Sequence, residues 1–280
     1  MNLLRPSAAE AAEAWRDLVV AEREQVERLP DRPRPEDFYG PIAQQFKADP
    51  HRSDEPVLDV LRGLVEPGET WIDIGAGGGR YTLPIALLAR RVYAVEPSTG
   101  MRGALAEAAA EHGIGNLQVF DERWPYVDSN VPMADVAFIS QVGYDIEEFG
   151  GFLDMMDAHA TRLCVAVMFS EAPISDWAPL WRAVHGEQRH LLPAAGEMLT
   201  LLFARGKTPE ARFLDLPPRT YDDLKALHAS ARRPLWVMPG SEQDARLEAA
   251  VRELAVSIDA GYALSARARR LGLLTWRPRD

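Results

Sequence analysis

Lysine is almost absent from this 280-residue chain: of 31 basic residues only Lys47, Lys207 and Lys225 are lysines. No G-x-x-x-x-G-K-[ST] loop exists, and the backbone cradle and lysine that hold a nucleoside triphosphate are missing with it. Cysteine is scarcer still. Cys164 stands alone within Leu163-Cys164-Val165-Ala166-Val167-Met168-Phe169, so no intrachain disulfide can form and a cytoplasmic address is expected. Its apolar neighbours make it a buried strand residue rather than a reactive thiol. No run of about 18 apolar residues occurs, and the N-terminus lacks the apolar core of a signal peptide, so a soluble protein with no membrane partner is expected. Positive charge is outnumbered, 31 against 42 acidic residues, for a net charge of −11. That balance repels phosphate backbones. The short clusters Arg232-Arg233 and Arg267-Ala268-Arg269-Arg270 lack interleaved aromatics, so nucleic acid is not the expected partner. His185 and His190 have no set of acidic or cysteine ligands around them, and no metal is expected.

Against these absences stands one dense block, Trp71-Ile72-Asp73-Ile74-Gly75-Ala76-Gly77-Gly78-Gly79-Arg80-Tyr81-Thr82-Leu83-Pro84-Ile85-Ala86. It reads as a buried strand, a glycine turn and a helix start. Gly75, Gly77 and Gly79 allow a sharp turn and let a ligand approach where a Cβ would collide. Arg80 occupies the position where the dinucleotide fingerprint G-x-G-x-x-G requires its last glycine, which disfavours a pyrophosphate on the helix N-terminus. A second apolar strand, Arg91-Val92-Tyr93-Ala94-Val95, ends at Glu96, 21 residues beyond Gly75. A carboxylate there can accept hydrogen bonds from both hydroxyls of a ribose.

Around this block the chain alternates strand and helix: strand 70–74, helix 79–89, strand 91–95, helix 99–112, strand 117–121, strand 134–140, helix 146–160 and strand 162–169. Such alternation predicts a doubly wound, mostly parallel α/β sheet. An amphipathic helix is expected over 8–29, with Ala11, Trp15, Leu18, Val26 and Leu29 on one face, followed by the proline-rich linker Pro30-Asp31-Arg32-Pro33-Arg34-Pro35. Residues 1–50 thus form a helical extension, either packed on the sheet or acting as a lid, and 51–280 form the α/β domain. Helical insertions are expected near 171–192 and 217–260, with Pro179 and Gly186 interrupting the first. Further elements are a helix over 194–205, a strand near 211–216, helices over 220–230 and 241–259, and a last strand over 271–276.

The sequence resembles the class I S-adenosylmethionine-dependent methyltransferases through Ile72-Asp73-Ile74-Gly75-Ala76-Gly77-Gly78-Gly79, Val95-Glu96-Pro97-Ser98 and Ala134-Asp135-Val136-Ala137-Phe138-Ile139-Ser140. The likeness covers roughly residues 55 to 170. It implies a Rossmann-like sheet with S-adenosyl-L-methionine lying across the carboxyl ends of the first, second and fourth strands. On that resemblance Asp73, Gly75, Ala76, Gly77 and Gly79 line the methionine and ribose portions, Glu96 holds the ribose, and Pro97 lies by the adenine edge. Arg123 stands where many members have an adenine-binding acid. Asp121 or Glu122 can substitute after a small register shift, and Trp124 can cover the ring.

Methyl transfer asks little of a protein beyond holding nucleophile, methyl carbon and sulfur in line while water is excluded, an effect worth roughly 7–11 kcal/mol. The candidates near the acceptor are Gln141 and Tyr144 after the fourth strand, and His185 as a base in the insertion. Asp145 caps the following helix in the alternative reading. The fourth-strand block is not [DNS]-P-P-[YFW], which disfavours adenine and glutamine amides as acceptors, and the strand position of Cys164 disfavours cysteine-mediated methylation of pyrimidine carbon. A small-molecule acceptor is expected. Two other functions stay open: a nicotinamide-dependent oxidoreductase, against which Arg80 argues, and a non-catalytic S-adenosylmethionine-binding or assembly protein.

Overall fold

The computed structural model describes residues 6–29, 37, 39–53, 55–126 and 130–278; the linker 30–35 lies outside them. The elements run α1 (Ala8–Glu27), α2 (Pro56–Leu64), β1 (Thr70–Ile74), α3 (Thr82–Ala86), β2 (Arg91–Val95), α4 (Thr99–Glu111), β3 (Leu117–Phe120), β4 (Ala134–Ser140), α5 (Phe149–His159), β5 (Ala160–Phe169), α6 (Ala178–His185), α7 (Ala195–Ala204), β6 (Glu210–Leu216), α8 (Leu224–Arg232), α9 (Glu242–Leu254), β7 (Val256–Ile258), β8 (Gly261–Ala263) and β9 (Arg269–Trp276). Short 3₁₀ segments cover Gly40–Phe46 and Pro173–Trp177.

Seven strands form one sheet in the order β3-β2-β1-β4-β5-β9-β6. β1 to β5 pair in parallel, and β9 runs antiparallel between β5 and β6. Strand order reverses between β1 and β4, the switch point at which open α/β sheets bind ligands beyond their carboxyl ends. Both faces of the sheet are covered, so β1 is buried along its whole length and reads as a continuous apolar run rather than an alternating one. One face packs Ile72, Ile139, Ala166 and Leu274 against α5, α7 and α1. The other packs Trp71, Phe138, Val165 and Leu273 against α2 and α3.

α1 begins with a reciprocal capping box between Ser7 and Glu10, which satisfies donors at the helix start. Trp15 stacks on Phe149 with ring centroids 4.2 Å apart and donates its indole N–H to the Ile146 carbonyl at 2.8 Å. Further along, buried Gln25 donates to the Gln188 carbonyl at 2.6 Å and accepts from the His190 N–H at 2.8 Å, and Glu22 pairs with Arg189, which lies 3.8 Å from the Trp181 ring centroid. A separate apolar cluster joins α6, α8 and α9 through Leu180, Trp181, Leu227, Leu235 and Leu247.

Three expectations change. The helix expected over 79–89 shrinks to Thr82–Ala86, because Gly79 has φ +90° and Pro84 removes a donor from the short helix that follows. The helix expected over 146–160 starts at Phe149. The helix expected over 241–259 stops at Leu254 and gives way to the hairpin β7-β8. Gly261 permits that hairpin to dock: a Cβ there would lie 2.3 Å from the Tyr221 carbonyl oxygen. Proline and glycine in 40–46 yield a 3₁₀ segment with no counterpart in the sequence reading.

Candidate functional site

The glycine turn leaves β1 and is fixed to β2 by two N–H donors: Gly75 and Ala76 both donate to the Val95 carbonyl, at 2.8 and 3.3 Å. Gly75 has φ +75° and Gly77 φ +54°, a region L side chains rarely adopt. A Cβ on Gly75 would meet Val142 Cγ2 at 2.5 Å, so the turn lies against the loop after β4. At Gly77 a Cβ would meet only Met101 Sδ at 4.0 Å. The loop therefore presents open backbone at Gly77, the space an adenosine ligand requires.

Glu96 is 6% exposed at the end of β2. One carboxylate oxygen accepts the Gly77 N–H and the other the Ser98 N–H, each at 2.8 Å. Each oxygen retains a lone pair for another donor. Burial raises its pKa, opposed by those two backbone hydrogen bonds and by Arg102. Asp73 is also buried, and its Oδ2 accepts the Thr82 hydroxyl at 2.5 Å. Desolvation, with the Glu96 charge adding to it, pushes its pKa up to about 7 although the Thr82 hydrogen bond opposes the shift. Pro97 is exposed beside Glu96. Asp121 pairs with Arg102 at 2.6 Å, leaving half-buried Glu122 as the acid after β3 without that commitment.

A clamp that the sequence reading missed closes over this end of the sheet. Asp37 accepts the Ser98 hydroxyl at 2.9 Å and the Gly100 N–H at 3.1 Å, with the Gly100 bond as the chief cause of its lowered pKa. Ser98 in turn caps α4 by accepting from the Met101 N–H at 3.1 Å. Behind Asp37 the 3₁₀ segment lies on the glycine turn: a Cβ on Gly78 would sit 2.9 Å from the Phe46 carbonyl, and one on Gly100 would sit 2.7 Å from the Gly40 Cα. Tyr39 is 46% exposed, yet its pKa is raised chiefly by burial and then by the Asp145 carboxylate, with Arg233 opposing and Glu96 contributing. The Arg233 guanidinium lies 5.8 Å from its ring centroid. The legible signal was an aromatic pair, Phe38-Tyr39, between prolines and a glycine.

Gln141 holds the other wall. It is exposed at the end of β4, with φ +56° and its N–H donating to the Val167 carbonyl at 2.8 Å. A non-glycine residue held in this region costs of order 1–3 kcal/mol and persists only where the surroundings enforce it. Here they do: Gly143 follows at φ +105°, and a Cβ on it would strike the Phe149 ring at 2.3 Å.

Three expected site residues have other partners. Tyr144 is buried, and its hydroxyl accepts the Phe169 N–H at 2.8 Å, which ties the β4 loop to β5; burial raises its pKa. Trp124 is buried among Phe152 and His159, and its N–H is spent on the Phe152 carbonyl at 3.2 Å, which makes it a core ring. His185 packs at a tilt against Trp181, ring centroids 4.2 Å apart, and bonds the Leu235 carbonyl through Nε2 at 2.9 Å, and burial lowers its pKa. It locks α6 to the residues after α8. Arg80 reaches away from the turn to Glu55 at 3.1 Å. Among the described residues no group of three or more His, Cys, Asp or Glu side chains can hold a metal, and no helix is long and apolar enough to cross a membrane.

No family model matches the chain. It is 30% identical over 190 residues to an uncharacterised protein of Haemophilus influenzae, covering 66% of this chain and 69% of that one. A shorter match, 34% over 80 residues, is to the 23S rRNA (uracil(1939)-C(5))-methyltransferase RlmD of Bordetella pertussis and spans 29% of this chain but only 16% of that protein. Among solved structures, the YcgJ protein of Bacillus subtilis superposes with TM-score 0.56 at 13% identity, over 80% of this chain and 98% of that one. The [4+2]-cyclase SpnF superposes with TM-score 0.51 at 16% identity, over 99% and 98%. The sheet order is that of class I methyltransferases, with the glycine turn and Glu96 at its switch point. The chain has the Rossmann-like fold of the class I S-adenosylmethionine-dependent methyltransferases.

Proposed function

We propose that this chain binds S-adenosyl-L-methionine across the glycine turn and Glu96 and transfers its methyl group to a small molecule. The observation that carries this reading is the Glu96 carboxylate, fixed by the Gly77 and Ser98 N–H groups with both oxygens able to accept further. When bound, the cofactor supplies an electrophilic methyl group on a sulfonium sulfur. The chain's own share is positioning: Glu96 orients the ribose, Gly75, Ala76, Gly77 and Gly79 allow close backbone approach, Asp73 stiffens the turn through Thr82, and Glu122 faces the adenine. Gln141 borders the acceptor. Residues 39–46 cover the cofactor and keep water out, with Asp37 as their latch. In domain terms, residues 1–50 form the attachment that carries this cover, and 51–280 form the catalytic unit with insertions near 171–192 and 217–260.

The small-molecule preference rests on the −11 charge and on the helical insert beside the strand ends. The rRNA methyltransferase match is confined to a fraction of each chain. The cyclase with this fold shows why turnover as well as binding must be measured. Binding is tested by melting: S-adenosylhomocysteine is expected to raise the midpoint, whereas NAD and ATP at equal concentration do not, since a ligand of the native state alone stabilises by mass action. A larger rise with NAD would reverse the assignment in favour of an oxidoreductase.

A further inference from the structure

The segment that roofs the glycine turn is fastened by polar contacts rather than by a core. Of residues 40–46 only Ala43 is buried, packed with Met101 and Ala104 of α4. Gln44 donates to Glu107 at 3.0 Å and Lys47 to Glu111 at 2.9 Å, but such pairs at the surface hold little. A stretch with so few buried apolar contacts opens locally well before the protein unfolds. One side chain does most of the fastening. Asp37 Oδ1 accepts the Tyr39 and Gly40 N–H groups at 3.1 and 2.9 Å, Oδ2 accepts the Gly100 N–H at 3.1 Å, and the Ser98 hydroxyl lies 2.9 Å from both oxygens. The carboxylate thus joins the cover to the first turn of α4, where the helix dipole favours a negative charge.

Two glycines form the seat beneath the cover. Neither Gly78 nor Gly100 has a positive φ, so neither backbone requires glycine. A Cβ on Gly78 would nevertheless lie 2.9 Å from the Phe46 carbonyl, and one on Gly100 would lie 2.7 Å from the Gly40 Cα. Their absent side chains admit the backbone of the cover. The seat adjoins the Glu96 carboxylate: Ser98, bonded to Asp37 through its hydroxyl, donates its N–H to one oxygen, and Gly77, next to Gly78, donates to the other. Met101, which packs with Ala43, is also the side chain that borders the open backbone of Gly77, at 4.0 Å from the position of a Cβ.

We propose that residues 39–46 are a gate on cofactor exchange and that Asp37 is the positioning residue that holds the gate shut. The proposal rests on the methyltransferase reading for the identity of the bound molecule. A molecule lying against Gly77 and Glu96 is enclosed by backbone seated on the neighbouring Gly78 and Gly100, and it enters and leaves when Asp37 releases Ser98 and Gly100. Lids of this kind let release rather than chemistry set the turnover rate. A gate that shuts over the empty and the filled site alike slows both directions, so weakening it speeds association and dissociation together and leaves affinity nearly unchanged. A residue that only supports binding would change dissociation alone.

The test follows radiolabelled S-adenosylhomocysteine on the full-length protein, its association after rapid mixing and its dissociation after an unlabelled chase. Asp37→Ala removes at least one charge-assisted hydrogen bond from the shut state, and both rate constants are expected to rise at least about tenfold while Kd stays within about threefold. Gly100→Ala crowds Gly40 while keeping Asp37, and is expected to do the same. Gly103→Ala makes the identical change in the same helix where a Cβ meets nothing within 4 Å, and is expected to alter neither rate. Hydrogen exchange of the Ile42 N–H, which donates to the Tyr39 carbonyl at 3.0 Å inside the cover, reports opening without any ligand and is expected to quicken in the first two variants only. Melting curves confirm which variants are folded. Unchanged rates in either folded variant, or faster dissociation with unchanged association, would overturn the gate. Failure of S-adenosylhomocysteine to bind the wild-type protein, with Ile42 exchange still quickened by Asp37→Ala, would instead overturn the methyltransferase reading and leave a gate over a different ligand.

Discussion

Replacing Glu96 by alanine is expected to weaken S-adenosylhomocysteine binding by about 10- to 150-fold, the equivalent of about 1.5–3 kcal/mol for hydrogen bonds to a charged acceptor. The variant also loses stability. The Gly77 and Ser98 N–H groups both end on this carboxylate at 2.8 Å, and removing it leaves one buried and one half-buried donor without a partner. The melting midpoint should fall by about 2–4 °C for each kcal/mol lost. Glu96→Gln separates the two effects, because its amide oxygen still accepts one backbone N–H while the charge that favours ribose hydroxyls is gone. Calorimetric titration of the three proteins is the check. Wild-type affinity in a folded Glu96→Ala protein would show that this residue does not hold the ligand.

Trp15→Ala is expected to be the most destabilising single change outside the sheet, by about 3–5 kcal/mol. The indole is 1% exposed, stacks on Phe149 at 4.2 Å and donates to the Ile146 carbonyl at 2.8 Å. Truncation opens a large cavity and orphans that carbonyl. Both partners lie in or just before α5, next to the Gly143 turn and Gln141, so the damage reaches the acceptor wall. Trp15→Phe keeps a stacked ring and loses the hydrogen bond, at about 0.5–1.5 kcal/mol. Denaturant unfolding of both variants tests this, and an unchanged midpoint in Trp15→Ala would mean that α1 is an appendage rather than part of the fold.

The sequence made the sheet legible because parallel strands buried on both faces are continuous apolar runs. Thr70–Ile74, Arg91–Val95 and Ala134–Ser140 match the expected ranges for this reason, and the doubly wound class followed from their alternation with helices. The glycine turn and Glu96 were legible because both depend on local backbone requirements. Tyr144, Trp124 and His185 were misplaced for one shared reason. Each is an amphipathic side chain whose polar tip satisfies a backbone group contributed by a distant segment, Phe169, Phe152 and Leu235 respectively, and residue type does not reveal which way such a tip turns. Asp37 and Tyr39 were missed because their partners lie some sixty residues away or further, at Ser98, Gly100 and Arg233. The strand Val256–Ile258 was absorbed into the preceding helix, although its β-branched ends around Ser257 form a period-two pattern.

The most direct measurement is the fate of a labelled methyl group. The protein is incubated with methyl-labelled S-adenosylmethionine and a fractionated cell extract, and label is counted in metabolites, protein and RNA. The account predicts label in the low-mass metabolite fraction, stoichiometric release of S-adenosylhomocysteine and strongly reduced transfer by Glu96→Ala. Label appearing in RNA, or cofactor bound and left intact across every fraction, would contradict it.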